Sequence, residues 1–163
     1  MSDFEYTIEK NGCSIAGYKG NNTVINIPNE IDGLRVIEIH DAAFHSSPNI
    51  TEVNIPDGVT YIWYYAFKWC VNLKSITIPE GVEIIGIGAF EGCRNLTSIT
   101  IPKSVRTMCS DIFKDCENLK RIIFKGRTST DEENFHIRWK GNCNAEVIFE
   151  RKRIIFPVYS SAK

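Results

Sequence analysis

Three cysteines recur at an even spacing that would suit a metal or redox cluster. Cys70, Cys93 and Cys116 lie 23 residues apart, and thiolates are common ligands of zinc. If this spacing places them on adjacent strands about 4.8 Å apart, the outer two sulfurs are roughly 10 Å from each other, too far to share one tetrahedral ion. Adjacent positions fall within the Cα range of a disulfide, but parallel Cβ vectors fit that bond poorly. We predict buried, reduced thiols and no metal site.

The remaining cysteines and the histidines also lack the spacing that catalysis needs. The best nucleophile and base are Cys109 and His40, which lie three 23-residue steps apart. Across three strands that is about 14 Å, several times the hydrogen-bond reach that the pair requires. The chain has no phosphate-binding glycine loop and no cofactor motif. We therefore predict a non-catalytic protein without cofactors, and a small enzyme with an unrecognised site is the disfavoured alternative.

A 23-residue repeat supplies the elements that position these residues. Three prolines and four phenylalanines share the period: Pro56, Pro79, Pro102, Phe44, Phe67, Phe90 and Phe113. In the coil of residues 73–95, segment 73–78 predicts a short strand with Ile76 and Ile78 inward, segment 82–85 a second strand, and segment 88–93 a tight helical turn. Stacking of about four to five such coils would bury the apolar columns. We predict a mainly β repeat solenoid with short helical turns.

Two successive stretches of this repeat resemble a known family. The pattern IPxxVxxI(G)xxAFxxCxNLxxIxIP runs from Ile55 to Pro79 and again from Ile78 to Pro102. It resembles the BspA-type, or Treponema pallidum-type, leucine-rich repeat, and the likeness spans about residues 4 to 126. The resemblance implies a right-handed leucine-rich-repeat superhelix in a bacterial, non-catalytic protein. It also implies protein binding or adhesion, frequently at microbial surfaces.

Both ends of such an open stack need covering, since exposed strand edges invite further pairing. Residues 1–27 predict an N-terminal capping hairpin with an Asn-Gly turn. Residues 28–126 predict the repeats, with a five-residue insertion in the first coil. Residues 127–163 lose the period and predict a C-terminal cap of a short helix plus a hairpin. All three parts are expected to form one structural domain.

The second coil departs from its neighbours because six of the nine residues from position 61 to 69 are aromatic. Of these, Phe67 occupies an inward column, and five are left over. They either pack over the glycines of the next coil or form an exposed patch of the size that marks interaction sites. His40 and Asp41 of the preceding coil would rim it. The predicted partner-binding residues are Tyr61, Trp63, Tyr64, Tyr65, Trp69, His40 and Asp41.

Composition narrows the class of partner. Nineteen basic and twenty acidic residues leave a formal charge of −1, which gives no electrostatic reason to expect nucleic acid. No apolar run suits a membrane span, and the first residues do not resemble a secretion signal. We predict a cytoplasmic location, or a cell-surface or secreted one if a leader has been removed. The expected partner is another protein, while glycan stacking or self-association would use the same surface.

Overall fold

The chain winds into a β-solenoid of about six turns. The computed structural model describes residues 3–127, 135 and 138–150. Within that part of the chain there are thirteen short strands and no helix. The strands are β1 Phe4–Glu9, β2 Gly12–Tyr18, β3 Val24–Asn26, β4 Glu30–Ile31, β5 Leu34–Ile39, β6 Glu52–Asn54, β7 Tyr61–Ile62, β8 Ser75–Thr77, β9 Ile84–Ile85, β10 Ser98–Ile101, β11 Thr107–Met108, β12 Arg121–Lys125 and β13 Glu146–Glu150.

One face of the solenoid is built from two parallel sheets, ordered β3-β6-β8 and β10-β12-β13. Pairing follows the sequence period, because Glu52 lies opposite Ser75 and Ser98 lies opposite Arg121. A proline follows β6, β8 and β10 within two residues, and its missing N–H cannot continue the ladder. The strand predicted for segment 73–78 is therefore confirmed in its central residues, Ser75–Thr77.

The second face carries the aromatic residues of the second coil. Its sheet is ordered β1-β2-β5-β7-β9-β11, with β4 paired to β5. From β5 onward the pairing is parallel, so Glu38 lies opposite Tyr61 and Tyr61 opposite Ile84. β1 and β2 form the antiparallel hairpin that the sequence predicts. β2 then pairs in parallel with β5 and places Ser14 opposite Glu38.

The third side consists of turns in which alternate backbone amides bond the next coil. Phe44, Phe67 and Phe90 each donate their backbone N–H to a carbonyl oxygen of the following coil, at 2.8–3.0 Å. Two residues per coil have left-handed backbone, namely Ala42 and Ser46, Tyr65 and Trp69, Gly88 and Gly92, Asp111 and Asp115. The predicted helical turn is therefore wrong, because left-handed residues interrupt a helix and alternate amides serve the neighbouring coil.

The core consists of the apolar columns that the repeat predicts. Phe44, Phe67, Phe90 and Phe113 stack one above the other, with ring centroids 5.0, 5.6 and 5.8 Å apart and ring planes within 9° of parallel. All four rings are buried. Ile76 and Ile78 are buried as predicted. Four successive coils therefore each contribute one ring to a continuous aromatic stack, which only coil stacking can shield from water.

The stack continues beyond residue 126. β13 pairs in parallel with β12, and Val147 lies opposite Ile122. The rest of the predicted C-terminal hairpin, at residues 154–156, and the start of the predicted short helix, at residues 130–133, lie outside the described residues. The turns outnumber the predicted four to five in part because β13 adds a strand beyond residue 126, where the sequence loses the period.

Candidate functional site

The three evenly spaced cysteines form a buried column of thiols. Each Sγ donates a hydrogen bond to the carbonyl oxygen of a phenylalanine in the preceding coil, at 3.0–3.2 Å: Cys70 to Phe44, Cys93 to Phe67 and Cys116 to Phe90. All six cysteines are free thiols, as the sequence predicts. Burial raises the pKa of Cys70 and of Cys116 to about 12. Protonated, buried thiols are unreactive, so the column packs the core.

Alkylation of the native chain with iodoacetamide at neutral pH should label Cys109 before the buried column, because Cys109 alone of the six is partly exposed. Timed quenching and peptide mass spectrometry measure the order. A raised pKa favours the neutral thiol in the folded state, so the stability from Cys70 is complete below the ordinary value of 9.0 and is lost as the pH rises towards about 12. Rapid labelling of Cys93 in the native chain would contradict this packing.

Two other kinds of polar group have structural partners. Asparagine also recurs every 23 residues, at positions 49, 72, 95 and 118, and Asn72 and Asn118 donate side-chain hydrogen bonds to backbone carbonyl oxygens, both at 2.8 Å, as expected for corner residues. Glu91 is buried, and its carboxylate lies 3.0 Å from Lys68 Nζ and 3.6 Å from Lys114 Nζ. The asparagine side chains and the Glu91 carboxylate thus connect adjacent coils. Their bonds within the protein give no reason to expect a ligand there.

The five aromatic side chains left over in the second coil separate into two groups. Tyr61, Trp63 and Tyr64 form a continuous cluster, with ring centroids 5.3 Å apart for the first pair and 5.9 Å for the second. Tyr65 and Trp69 lie over the third coil. Tyr64 and Tyr65 are 40% and 39% exposed, and the other three are half-buried. Tyr65 and Trp69 therefore follow the packing interpretation. Tyr61, Trp63 and Tyr64 form a separate cluster, and a binding role for that cluster stays a prediction.

Trp63 and Tyr64 line an open pocket of about 350 Å³, which we call the Trp63 pocket. Its lining residues are Glu9, Glu38, His40, Asp41, Trp63 and Tyr64. His40 and Asp41 come from the end of the preceding coil, where the sequence places the rim of the patch. The structure thus brings four of the seven predicted residues to one pocket, and Tyr61 adjoins it through its stacking on Trp63.

Neutral donors hold the carboxylates of the Trp63 pocket. The indole Nε1–H of Trp63 donates to Glu38 Oε2 at 2.7 Å, and the backbone N–H of Tyr64 donates to Asp41 Oδ1 at 3.0 Å. The buried hydroxyl of Ser14 lies 3.3 Å from the Glu38 carboxylate and 3.4 Å from that of Glu9. Among the described residues, no lysine or arginine forms a salt bridge with any of the three.

Tyr65 and Trp69 cover glycines of the third coil. A Cβ atom at Gly88 would lie 2.7 Å from two ring carbons of Tyr65, and one at Gly92 would overlap the Trp69 indole. These two aromatic residues therefore pack against the scaffold, as one of the two interpretations of the sequence requires.

Basic side chains also contact the rings of Tyr65 and Trp69. Lys68 Nζ is 4.5 Å from the Tyr65 ring centroid, and Arg94 Cζ is 5.3 Å from that of Trp69. Such contacts occupy the aromatic faces that a partner would otherwise use. The structure accordingly separates Tyr65 and Trp69 from the Trp63 pocket.

Other parts of the described chain show weaker evidence of a binding site. A pocket of about 510 Å³ lies between residues 115–120 and 142–146, and no aromatic side chain lines it. No three His, Cys, Asp or Glu side chains in the described ranges are arranged to hold a metal ion. In the same ranges no helix is long and apolar enough to cross a membrane.

Glu9, Ser14 and Glu38 were not among the residues predicted from the sequence. Glu38 lies one period before Tyr61 and is its pairing partner, so the repeat register contained a signal for it. Glu9 and Ser14 belong to the N-terminal hairpin, which is outside the period, and no sequence feature connects them to Trp63. Only the parallel pairing of β2 with β5 brings them there.

Solved structures share this fold. A Treponema pallidum leucine-rich repeat protein is 27% identical, with a TM-score of 0.60, and the match covers 74% of this chain and 68% of that one. For a Bacteroides capillosus leucine-rich repeat protein the identity is 23%, the TM-score 0.63 and the coverage 92% and 96%. A Faecalibacterium prausnitzii protein described as a leucine rich cell surface protein is 22% identical, with a TM-score of 0.56, and the match covers 91% of this chain and 49% of that one.

The last two likenesses concern the fold alone, because their identities are below 25%. No curated protein matches the sequence. The family described as the BspA type leucine rich repeat region matches residues 37–139 in six copies, which is more than half of the chain. Together with the stacked coils and their phenylalanine and cysteine columns, this match shows that the chain belongs to the BspA-type leucine-rich repeat family.

Proposed function

We propose that this chain is a non-catalytic protein-binding module whose contact surface is the Trp63 pocket with the adjoining Tyr61. The observation that supports the proposal is the aromatic cluster beside carboxylates that have no salt-bridge partner among the described residues. Tyrosine and tryptophan are enriched among the residues that dominate binding energy at interfaces. An aromatic side chain buries about 150–250 Å² when it is covered, so three of them anchor a substantial contact.

The scaffold itself does not require these aromatic residues. In the third coil the positions equivalent to Tyr61, Trp63 and Tyr64 are isoleucine, glycine and isoleucine, and that coil has the same strand pairing and the same buried columns. A fold that forms equally well without a cluster leaves the cluster free for another role. Membership of a repeat family whose members are not generally enzymes supports binding over catalysis.

Panning of a phage-displayed peptide library on the wild-type chain, with removal of phages that also bind the Trp63→Ser, Tyr64→Ser variant, should enrich peptides that need the Trp63 pocket. We expect these peptides to lose at least about tenfold in affinity for the double variant in fluorescence anisotropy, about 1.4 kcal/mol. Trp69 stays intact because it packs on Gly92. The melting temperature should change little, since surface substitutions usually cost within about 0.5 kcal/mol.

The matched control is Val24→Ser, because Val24 is an exposed apolar residue, 43% accessible, on the other face of the solenoid. This variant should bind the enriched peptides as the wild type does. Failure to enrich any pocket-dependent peptide would refute the proposal. A large loss of melting temperature in the double variant would show instead that Trp63 and Tyr64 are packing residues.

A cell-surface adhesin that binds a host matrix protein or glycan is the second candidate. It is favoured by the description of the Faecalibacterium prausnitzii protein as a cell surface protein, a likeness that supports the fold alone. Binding of an oligosaccharide on a glycan array that depends on Trp63, without pocket-dependent peptide binding, would favour this candidate. A dimer that dissociates on Trp63→Ser substitution would indicate self-association through the same surface.

A further inference from the structure

The Trp63 pocket concentrates negative charge in a chain that is nearly neutral. The whole sequence has a formal charge of −1, yet Glu9, Glu38 and Asp41 all line this one pocket, and no lysine or arginine is among its lining residues. Other described carboxylates, such as those of the exposed Glu80 and Glu83, also form no salt bridge with a described residue. The pocket differs from the rest of the surface because three carboxylates share one concave site.

Two of these carboxylates compete for a single donor. Ser14 Oγ lies 3.4 Å from the Glu9 oxygen and 3.3 Å from the Glu38 oxygen, and a hydroxyl has one proton to donate. Those two oxygens are consequently no more than about 7 Å apart, a range in which like charges repel appreciably. A cation bound between them would remove that repulsion, whereas an anionic or apolar ligand would not.

The aromatic walls favour the same kind of ligand. A tryptophan face is the best aromatic partner for a cation, and both lysine and arginine bind it. The Trp63 indole donates its Nε1–H to a carboxylate at 2.7 Å, which adds electron density to the ring and strengthens that attraction. Tyr64 stands at 80° to Trp63 and Tyr61 stacks on Trp63, so a guanidinium would contact the part of the indole that lines the pocket.

We propose that the Trp63 pocket binds an arginine side chain, or less tightly a lysine side chain, of a partner protein. The guanidinium stacks on the Trp63 indole and donates hydrogen bonds to the carboxylates of Glu38 and Asp41. Arginine is preferred because its planar fork of donors suits both stacking and paired hydrogen bonds to carboxylates. This proposal rests on the proposed protein-binding function and adds the charge of the partner residue that enters the pocket.

The test uses the full chain labelled with ¹⁵N and pentapeptides with blocked ends, in which a central arginine, lysine, citrulline, leucine or glutamate is flanked by glycines. Citrulline has the shape of arginine without its charge. The indole N–H resonance of Trp63, assigned with a Trp63→Phe variant, reports binding at millimolar peptide. We expect the arginine peptide to bind at least about tenfold tighter than the citrulline peptide, and the difference to shrink at high salt.

Matched variants separate the pocket charge from charge elsewhere. Glu38→Gln with Asp41→Asn keeps oxygen acceptors for Trp63 Nε1 and the Tyr64 N–H but removes two charges, and it should weaken the arginine peptide at least about tenfold. The control is Glu80→Gln with Glu83→Gln, which removes two exposed charges outside the pocket. The control should leave arginine binding unchanged.

Four results would overturn the proposal. Equal binding of the citrulline and arginine peptides would show that charge is not recognised, and so would unchanged arginine binding by the Glu38→Gln, Asp41→Asn variant. No response to arginine, while library peptides still need Trp63 for binding, would refute the cation site and leave the proposed function standing. If neither kind of peptide needs Trp63, both proposals fail.

Discussion

Replacing Phe67 by alanine is expected to lower the free energy of unfolding by about 3–5 kcal/mol, a large part of the stability of an ordinary domain. The Phe67 ring is fully buried and stacks between Phe44 and Phe90, with centroids 5.0 and 5.6 Å away. Its removal leaves a cavity in the middle of a stack whose rings contact only their neighbours, so the coils on either side cannot close it. Urea unfolding followed by circular dichroism measures the loss.

The matched control is Tyr64→Ala, which removes a ring of similar size from the surface of the same coil, where Tyr64 is 40% exposed. It should change the free energy of unfolding by about 0.5 kcal/mol or less. Because each coil contacts only its neighbours, the Phe67→Ala variant is also expected to unfold less cooperatively, with a smaller dependence on urea concentration. A loss below about 1 kcal/mol for Phe67→Ala would contradict the picture of a continuous, rigid stack.

Replacing Gly92 by alanine is expected to cost about 2–4 kcal/mol, the second largest effect. Gly92 has a φ of +72°, where an L side chain is strained. Its added methyl group would also lie 2.8 Å from the Cδ2 and Cζ3 atoms of the Trp69 indole. The indole can move only by leaving its contact with Arg94. Urea unfolding of the single variant measures the sum of strain and overlap.

Two further variants divide that sum. Gly33→Ala is the control for backbone strain, because Gly33 has a φ of +79° and nothing within 4 Å of the added methyl group, so a loss of about 1–2 kcal/mol is expected. Trp69→Ala in the Gly92→Ala background removes the overlap, and the two substitutions should together cost less than the sum of their single effects. Strict additivity would show that the Trp69 ring does not lie on Gly92.

The second coil contains both residues that stabilise the fold and residues that form the proposed binding surface. The inward residues of the second coil, Phe67 and Cys70, are equivalent to those of its neighbours and stabilise the stack. Trp69 and Tyr65 fill the space above Gly92 and Gly88. Only Tyr61, Trp63 and Tyr64 remain without a packing role that the adjacent coils share, which is why the binding proposals rest on them.

The buried columns of the repeat were predictable residue by residue because equivalent positions in successive coils have the same packing environment. An apolar residue that recurs every 23 positions takes the same inward direction in each coil, so the buried phenylalanines and cysteines follow from the period. The turns were less predictable, since segments such as 88–93 suggest a helical turn when read alone. Alternate amides in such segments bond the next coil instead, and that choice depends on a neighbouring coil that the local sequence does not contain.

The candidate site was predictable only in part, for a similar reason. The sequence pointed to Trp63, Tyr64, His40 and Asp41, because the crowding of aromatic residues in one coil is visible against the coil that follows it. It could not separate Trp63 from Trp69, since the direction of each side chain depends on left-handed backbone at position 69 and on a glycine across the coil boundary. Of the three carboxylates of the pocket, Asp41 was predicted, Glu38 could be found from the repeat register, and Glu9 had no signal in the sequence.

By itself the sequence of this protein determined the period, the strands that stop at proline, the buried columns and the membership of a repeat family, because each depends on spacing along the chain. The tertiary structure decided which aromatic residues pack and which face the pocket, and it added Glu9 to the lining of that pocket. The first outcome depends on glycines across the coil boundary, and the second depends on parallel pairing between β2 and β5, which joins a hairpin outside the repeat to the coils inside it. Contacts of that kind arise only when the coils stack.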